Sequence, residues 1–171
     1  KEPMPFDLLY WNSDVTNLPA KMHAFYLRNM YLRNALKDPG GISLAGTPID
    51  LRQITVPAYF LSTDQDHIAL WRSTYSGAKL LSGATRFVLG GSGHIAGVIN
   101  PADSTKYGYR TNDALPDTAD AWLADAQEHE GSWWKDWGKW LAKPAGVKVA
   151  ARQPIEGLGA APGSYVLGKA G

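Results

Sequence analysis

Pro57 to Trp71 reads PAYFLSTDQDHIALW. A short run rich in apolar residues, Ala58 to Ser62, follows a proline and breaks off at Asp64, Gln65, Asp66 and His67, after which apolar sequence resumes. The run reads as a strand, the acidic stretch as a turn, and Trp71 to about Leu81 as a helix. TRFVLGGSGHIAGV, Thr85 to Val98, repeats the pattern, with a strand at Arg86 to Leu89 running into a Gly-rich loop that holds His94. Strand, turn, helix, strand and turn in succession favour a parallel sheet flanked by helices, so the predicted class is α/β.

Consecutive parallel strands joined by a right-handed crossover usually end side by side. Each of these two strands ends in a titratable residue, which predicts Asp66 and His94 within hydrogen-bond reach of each other. An Asp at a strand's carboxyl end can orient and charge-stabilise a His that moves a proton. Taken singly, each residue has an ordinary explanation: Asp66 as an Asx turn or N-cap, His94 as a loop residue among glycines that let the backbone approach closely. The pair is what points to chemistry. Asp followed by His at the last two strand ends is also the order found in α/β-hydrolases, whose nucleophile comes earlier in the chain.

With 171 residues the chain is long enough for one domain with a real core. Its 44% hydrophobic and 19% charged residues are ordinary globular values, which argues against general disorder. Lys and Arg number 17 against 16 Asp and Glu, so no charge excess points to nucleic acid. No window is apolar enough for a membrane span, and the N-terminus lacks the pattern of a signal peptide. Cysteine is absent, which removes disulfides, thiolate metal sites and a cysteine nucleophile within this chain. His67 and His94 with Asp64 and Asp66 match no known ligand spacing, so no metal is expected.

Elsewhere, PFDLLYWNSDVTNLP (Pro5 to Pro19) reads as an apolar cluster followed by loop, with Trp11 and Asn12 inside it. Pro19 to about Leu36 reads as a helix with two apolar faces, stopped by KDPGG. The doubled YLRN at Tyr26 and Tyr31 has a spacing of five that suits no α-helical face and reads as coincidence. GISLAGTPIDLRQI gives a short strand and turn, and INPADSTKYGYRTN (Ile99 to Asn112) a loop. Asp117 to Glu128 reads as an amphipathic helix, and SWWKDWGKWLA as a second one. Four of the seven tryptophans crowd into this last segment; Trp133, Trp137 and Trp140 share a helical face, which reads chiefly as packing surface. From Pro144 the chain turns Gly-, Ala- and Pro-rich, as an extended arm would. The dense tryptophan and a beginning directly before a buried-looking cluster suggest part of a larger polypeptide.

LLYWNSDVTNLP, YLRNMYLRN, DQDHIALW, RFVLGGSGHIAGVINP and HEGSWWKDWGKWLA, taken in order, resemble the C-terminal part of class I poly(3-hydroxyalkanoate) synthases, the bacterial polyester polymerases. The resemblance runs from about Pro5 to Pro144. It implies an α/β-hydrolase fold, here the C-terminal half of a mainly parallel sheet flanked by helices. Residues 1–143 would belong to the catalytic domain, with a helix at 18–37 near a lid and dimer contact, and 144–171 would form the arm.

The implied activity joins (R)-3-hydroxyacyl units from coenzyme A thioesters, such as 3-hydroxybutyryl-CoA, into polyester with release of coenzyme A. Of the family's Cys, Asp and His, the Asp matches Asp66 and the His matches His94, while His67 would support them. The Cys and the oxyanion donors would lie on an upstream segment of the same synthase. No cofactor is implied, coenzyme A being a substrate moiety. The implied partners are the growing polyester, a second copy in a homodimer and granule-associated proteins, in the cytoplasm at the polyester granule surface. Two other readings fit the Asp and His alone: a serine-type esterase or depolymerase of the α/β-hydrolase class, and a nucleophile-less module that binds a synthase or granule.

Overall fold

Pro19 opens the first helix, α1 (Ala20–Tyr26), with the restricted φ that suits a helix start. The computed structural model describes residues 16–153 and, beyond them, 155, 157, 159, 160, 163 and 164; the reading of Pro5 to Val15 therefore lies outside the described residues. Past α1 the backbone widens into a π-helix over Leu27–Leu32, in which the Arg33 N–H donates to Arg28 O five residues back. In that geometry residues five apart share a face. Tyr26 and Tyr31 accordingly meet edge to face, with ring centroids 5.5 Å apart. The expectation that a spacing of five suits no helical face is thus corrected for this stretch, because the helix here is π and not α. The helix expected to reach Leu36 ends at Leu32, and a left-handed Asn34 precedes a 3-10 turn at Ala35–Lys37.

Helix α1 and its π extension belong to one compact unit, and Asn34–Val147 forms another. The larger unit opens with a two-residue hairpin, β1 (Ser43–Leu44) and β2 (Thr47–Pro48). Its turn residues Ala45 and Gly46 both have positive φ, as a tight hairpin turn requires. The main sheet then uses β3 (Ala58–Thr63), β4 (Thr85–Gly90), β5 (Tyr109–Thr111) and β6 (Gln127–His129), hydrogen-bonded in that order. Helix α2 (Trp71–Ala78) makes the crossover between β3 and β4, and α3 (Ala119–Ala124) precedes β6. Helix α4 (Trp134–Ala145) follows β6 and carries Pro144 in its last turn.

Strands β3 and β4 pair in parallel, from Ala58 opposite Thr85 to Thr63 opposite Gly90. The next two pairings, β4 with β5 and β5 with β6, are antiparallel. The sheet is therefore mixed, where a mainly parallel one was expected. Two readings account for the difference. The stretch Ile99 to Asn112, read as loop, contains β5; the helix expected over Asp117 to Glu128 stops at Ala124, and its last turn is replaced by β6.

Alternation along the strands assigns the two faces. Phe60, Phe87 and Leu89 pack with Trp71, Tyr75 and Ala78 of α2 and with Trp122 of α3. Tyr75, Phe87 and Trp122 are almost wholly removed from solvent, with Phe87 and Trp122 in edge contact at 5.0 Å. Burying a side chain of this size contributes about 2 kcal/mol. On the other face, Tyr59 lies 6.2 Å from Trp133 and 5.4 Å from Trp140, ring centre to ring centre, so these two tryptophans pack as expected. Among the described residues no helix is long and apolar enough to cross a membrane.

Candidate active site

The parallel register sets the geometry of the site. Thr63 and Gly90 stand opposite each other at the carboxyl ends of β3 and β4, so Asp66 follows three residues on and His94 four. Backbone bonds continue past the ladder: Asp64 N–H donates to Gly90 O at 2.9 Å and Gln65 N–H to Ser92 O at 3.1 Å. The two loops are thereby laced together. Asp66 Oδ1 accepts from the N–H groups of Ile68 at 2.9 Å and Ala69 at 2.8 Å, which closes the turn ahead of α2. Its Oδ2 lies 2.8 Å from His94 Nδ1.

An ionised carboxylate only accepts, so Nδ1–H of His94 is the donor in that bond. The hydrogen bond from His94 draws the Asp66 carboxyl down to about 2; burial opposes this, and the N–H groups of Ala69 and Ile68 reinforce it. Asp66 is buried, whereas the His94 side chain is 44% exposed. Among the described residues its Nε2 has no hydrogen-bond partner. The arrangement is a base with one nitrogen anchored by a buried charge and the other open to an incoming group.

The glycines around His94 serve close approach. A Cβ on Gly97 would collide with Gly91 O and the Thr63 methyl, so the loop folds back on the end of β3 only because that position is bare. Ser92 adopts a φ of 75°, an uncommon conformation for a residue with a side chain, and its carbonyl is the one that accepts from Gln65. Following His94, Ile99 N–H donates to Ile95 O, and Trp133 Nε1 holds Gly97 O at 3.1 Å. The Trp-rich segment thus anchors the far side of the His94 loop.

His67 stands apart from the pair. It is exposed, and no hydrogen bond joins it to Asp66 or His94 among the described residues. Beside the laced loops lies a cleft of about 290 Å³, walled by Gln65 and Ser92 on one side and by Tyr109, Arg110 and Glu128 on the other. Arg110 grips Glu128 Oε1 through Nε at 2.9 Å and Nη2 at 2.8 Å, and its Nη1 lies 3.8 Å from Asp64 Oδ2. The sequence carried no signal for Arg110 and Glu128, because they come from a strand read as loop and a strand read as helix. A second missed group joins the sheet to α4: Asp136 accepts from Tyr59 Oη at 2.9 Å and from Arg86 Nε at 2.8 Å. Only the shared helical face of Asp136, Trp133 and Trp140 hinted at it.

No protein-family model matches the chain. Curated proteins do. Poly(3-hydroxyalkanoate) polymerase subunit PhaC of Cupriavidus necator is 50% identical over 173 residues, covering 98% of this chain and 29% of that protein. The subunit PhaC of Rhizobium etli is 46% identical, covering 98% of this chain and 27% of that protein. Poly(3-hydroxyalkanoate) polymerase 1 of Ectopseudomonas oleovorans is 39% identical, covering 96% and 30%. The chain spans less than a third of the length of each of these relatives. At such identity over nearly its whole length, the chain belongs to the poly(3-hydroxyalkanoate) polymerase family, as a homologue of the C-terminal portion of its members.

Proposed function

We propose that this chain is the C-terminal part of an acyltransferase of the α/β-hydrolase fold that polymerises (R)-3-hydroxyacyl-CoA, of short chain such as 3-hydroxybutyryl-CoA, and releases coenzyme A. The relatives' names supply the polymer class. The observation that carries the chemistry is the 2.8 Å contact of Asp66 with His94 at the ends of adjacent parallel strands. Asp before His at such ends is the α/β-hydrolase order and supports that fold for the complete domain.

In this reading the nucleophile is a Cys on an upstream segment of the same polypeptide, since these 171 residues hold none. His94 Nε2 takes the thiol proton. The thiolate attacks the thioester carbonyl, the bond to the coenzyme A sulfur breaks, and coenzyme A leaves as the thiol with that proton. The 3-hydroxyl of another unit or chain then attacks the acyl-enzyme. Its proton passes to the site base, the new ester forms, and the Cys thiol is regenerated. Asp66 holds the ring in the tautomer that leaves Nε2 free and stabilises its charged form. In this reading His67, next after Asp66 in the chain, plays its supporting part from within the turn, without a hydrogen bond to Asp66 or His94 among the described residues. No cofactor enters, coenzyme A being carried in and out with the substrate. The enzyme acts as a homodimer in the cytoplasm, at the granule surface where the polyester and granule-associated proteins meet it.

A positioned base contributes about 10²–10⁴-fold to rate. His94→Ala in the full-length polymerase is therefore expected to slow coenzyme A release from 3-hydroxybutyryl-CoA by at least about 10²-fold. Turnover near the unmodified rate would overturn the assignment.

A further inference from the structure

Asp64 sits in an electrostatically awkward position. Its Oδ1 is sealed from solvent with no hydrogen-bond partner among the described residues. A carboxylate oxygen left so is costly unless a positive charge stands near. Among the described residues the cation within ion-pair reach of Asp64 is Arg110, whose Nη1 lies 3.8 Å from Oδ2. The guanidinium does not wander, because Glu128 on the neighbouring strand β6 holds it by two hydrogen bonds. Arg110 and Glu128 are direct partners in the β5–β6 register, so the sheet itself fixes the placement of this charge.

Asp64 is also the residue whose N–H ties the turn after β3 to Gly90 O, and it lies two positions before Asp66. We propose that Arg110 is a positioning residue for the Asp66–His94 pair: fixed by Glu128, its charge keeps Asp64 folded in, and Asp64 keeps the Asp66 turn seated on the His94 loop. The inference rests on the reading of Asp66 and His94 as catalytic. Without that charge the Asp64 carboxylate turns out towards water and draws the turn with it. The Asp66–His94 contact then lengthens, and a displacement of about 1 Å in such a site costs on the order of 10²-fold in rate. Because neither Arg110 nor Asp64 reaches the reacting atoms in this scheme, the effect falls on kcat and leaves KM alone.

The test uses the full-length polymerase, with coenzyme A release from 3-hydroxybutyryl-CoA as the readout. Arg110→Gln is expected to lower kcat about ten- to a hundredfold with KM unchanged. Asp64→Asn carries a neutral amide that needs no counter-charge, so it costs less by itself, and in the double variant it restores most of what Arg110→Gln loses. Arg110→Lys, which keeps the charge, retains kcat within about threefold. If Arg110→Gln does not fold, the double variant decides by comparison with Asp64→Asn, which it is expected to match. Wild-type kcat in Arg110→Gln, or a double variant far slower than Asp64→Asn, overturns the proposal. His94→Ala run alongside separates the two failures. An active His94→Ala sinks the catalytic reading itself, whereas an inactive one beside a fully active Arg110→Gln sinks only the role of Arg110.

Discussion

The two faces of the sheet are covered by different physics. Against α2 and α3 the contact is made by rings: Phe87 meets Tyr75 and Trp122 edge to face, all three with almost no solvent access. Against α4 the contact is built on a charge. Asp136 holds Tyr59 and Arg86, and Trp133 and Trp140 pack around them. Dispersion and burial are non-directional, so the first face tolerates small shifts and stabilises through area. Hydrogen bonds among half-buried charges stabilise less, yet they specify where α4 must sit. The second face also steadies the His94 loop through Trp133, so specificity of placement is found on the side where placement matters.

Truncation on the ring face should give the largest effect. Phe87→Ala removes the ring that touches both Tyr75 and Trp122 and is expected to lower stability by about 3–5 kcal/mol, read as the urea midpoint. On the charged face, Asp136→Asn keeps the shape and removes the charge; about 2 kcal/mol is expected by the same measurement. Arg86 would still reach the exposed Asp113. Equal costs for the two substitutions would erase the contrast between the faces. The Tyr59 phenol gives a second readout. Burial first, and then the adjacent Asp136 charge, pushes its ionisation well above the usual range, so Asp136→Asn should lower the pH at which it titrates by ultraviolet absorbance.

The smallest effect falls at the strand ends, between the faces. The folded state holds the Asp66 carboxyl at about 2, below its ordinary value of 3.8. A depressed carboxyl favours the fold above the unfolded value and loses that contribution as pH falls through the folded one. The stability difference between the unmodified chain and Asp66→Asn should therefore shrink as pH falls between about pH 4 and 2. A difference that stays flat across that window would show that the His94 bond does not hold the charge.

What the sequence disclosed divides along similar lines. Strands β3 and β4 were legible because each is a continuous run with a proline or turn at its margins, and because a helix-length segment lies between them. Their parallel pairing then made the meeting of Asp66 and His94 a matter of connection geometry. The strands β5 and β6 were not legible. Three residues carry no period, and Tyr109 to Thr111 become a strand only because the open edge of β4 offers partners. Likewise Gln127 to His129 follow Trp122, Leu123 and Ala126, whose spacing continues a helical pattern; pairing with β5 overrides it. The ion-paired groups were hidden for a related reason. Arg86 meets Asp136 across 50 residues and Tyr59 meets it across 77, and no local pattern encodes such a meeting.

The pairing of Thr63 with Gly90 has a consequence for how this segment can change over time. Side chains alternate along a strand, so gaining or losing one residue inside β3 or β4 would reverse the phase of everything beyond it. Asp66 and His94 would then point to opposite sides of the sheet even if each were retained. Substitutions erode such a site by degrees, whereas a change of length by one residue abolishes it in a single step. Selection on these two strands therefore falls first on their count of residues and only then on their identity.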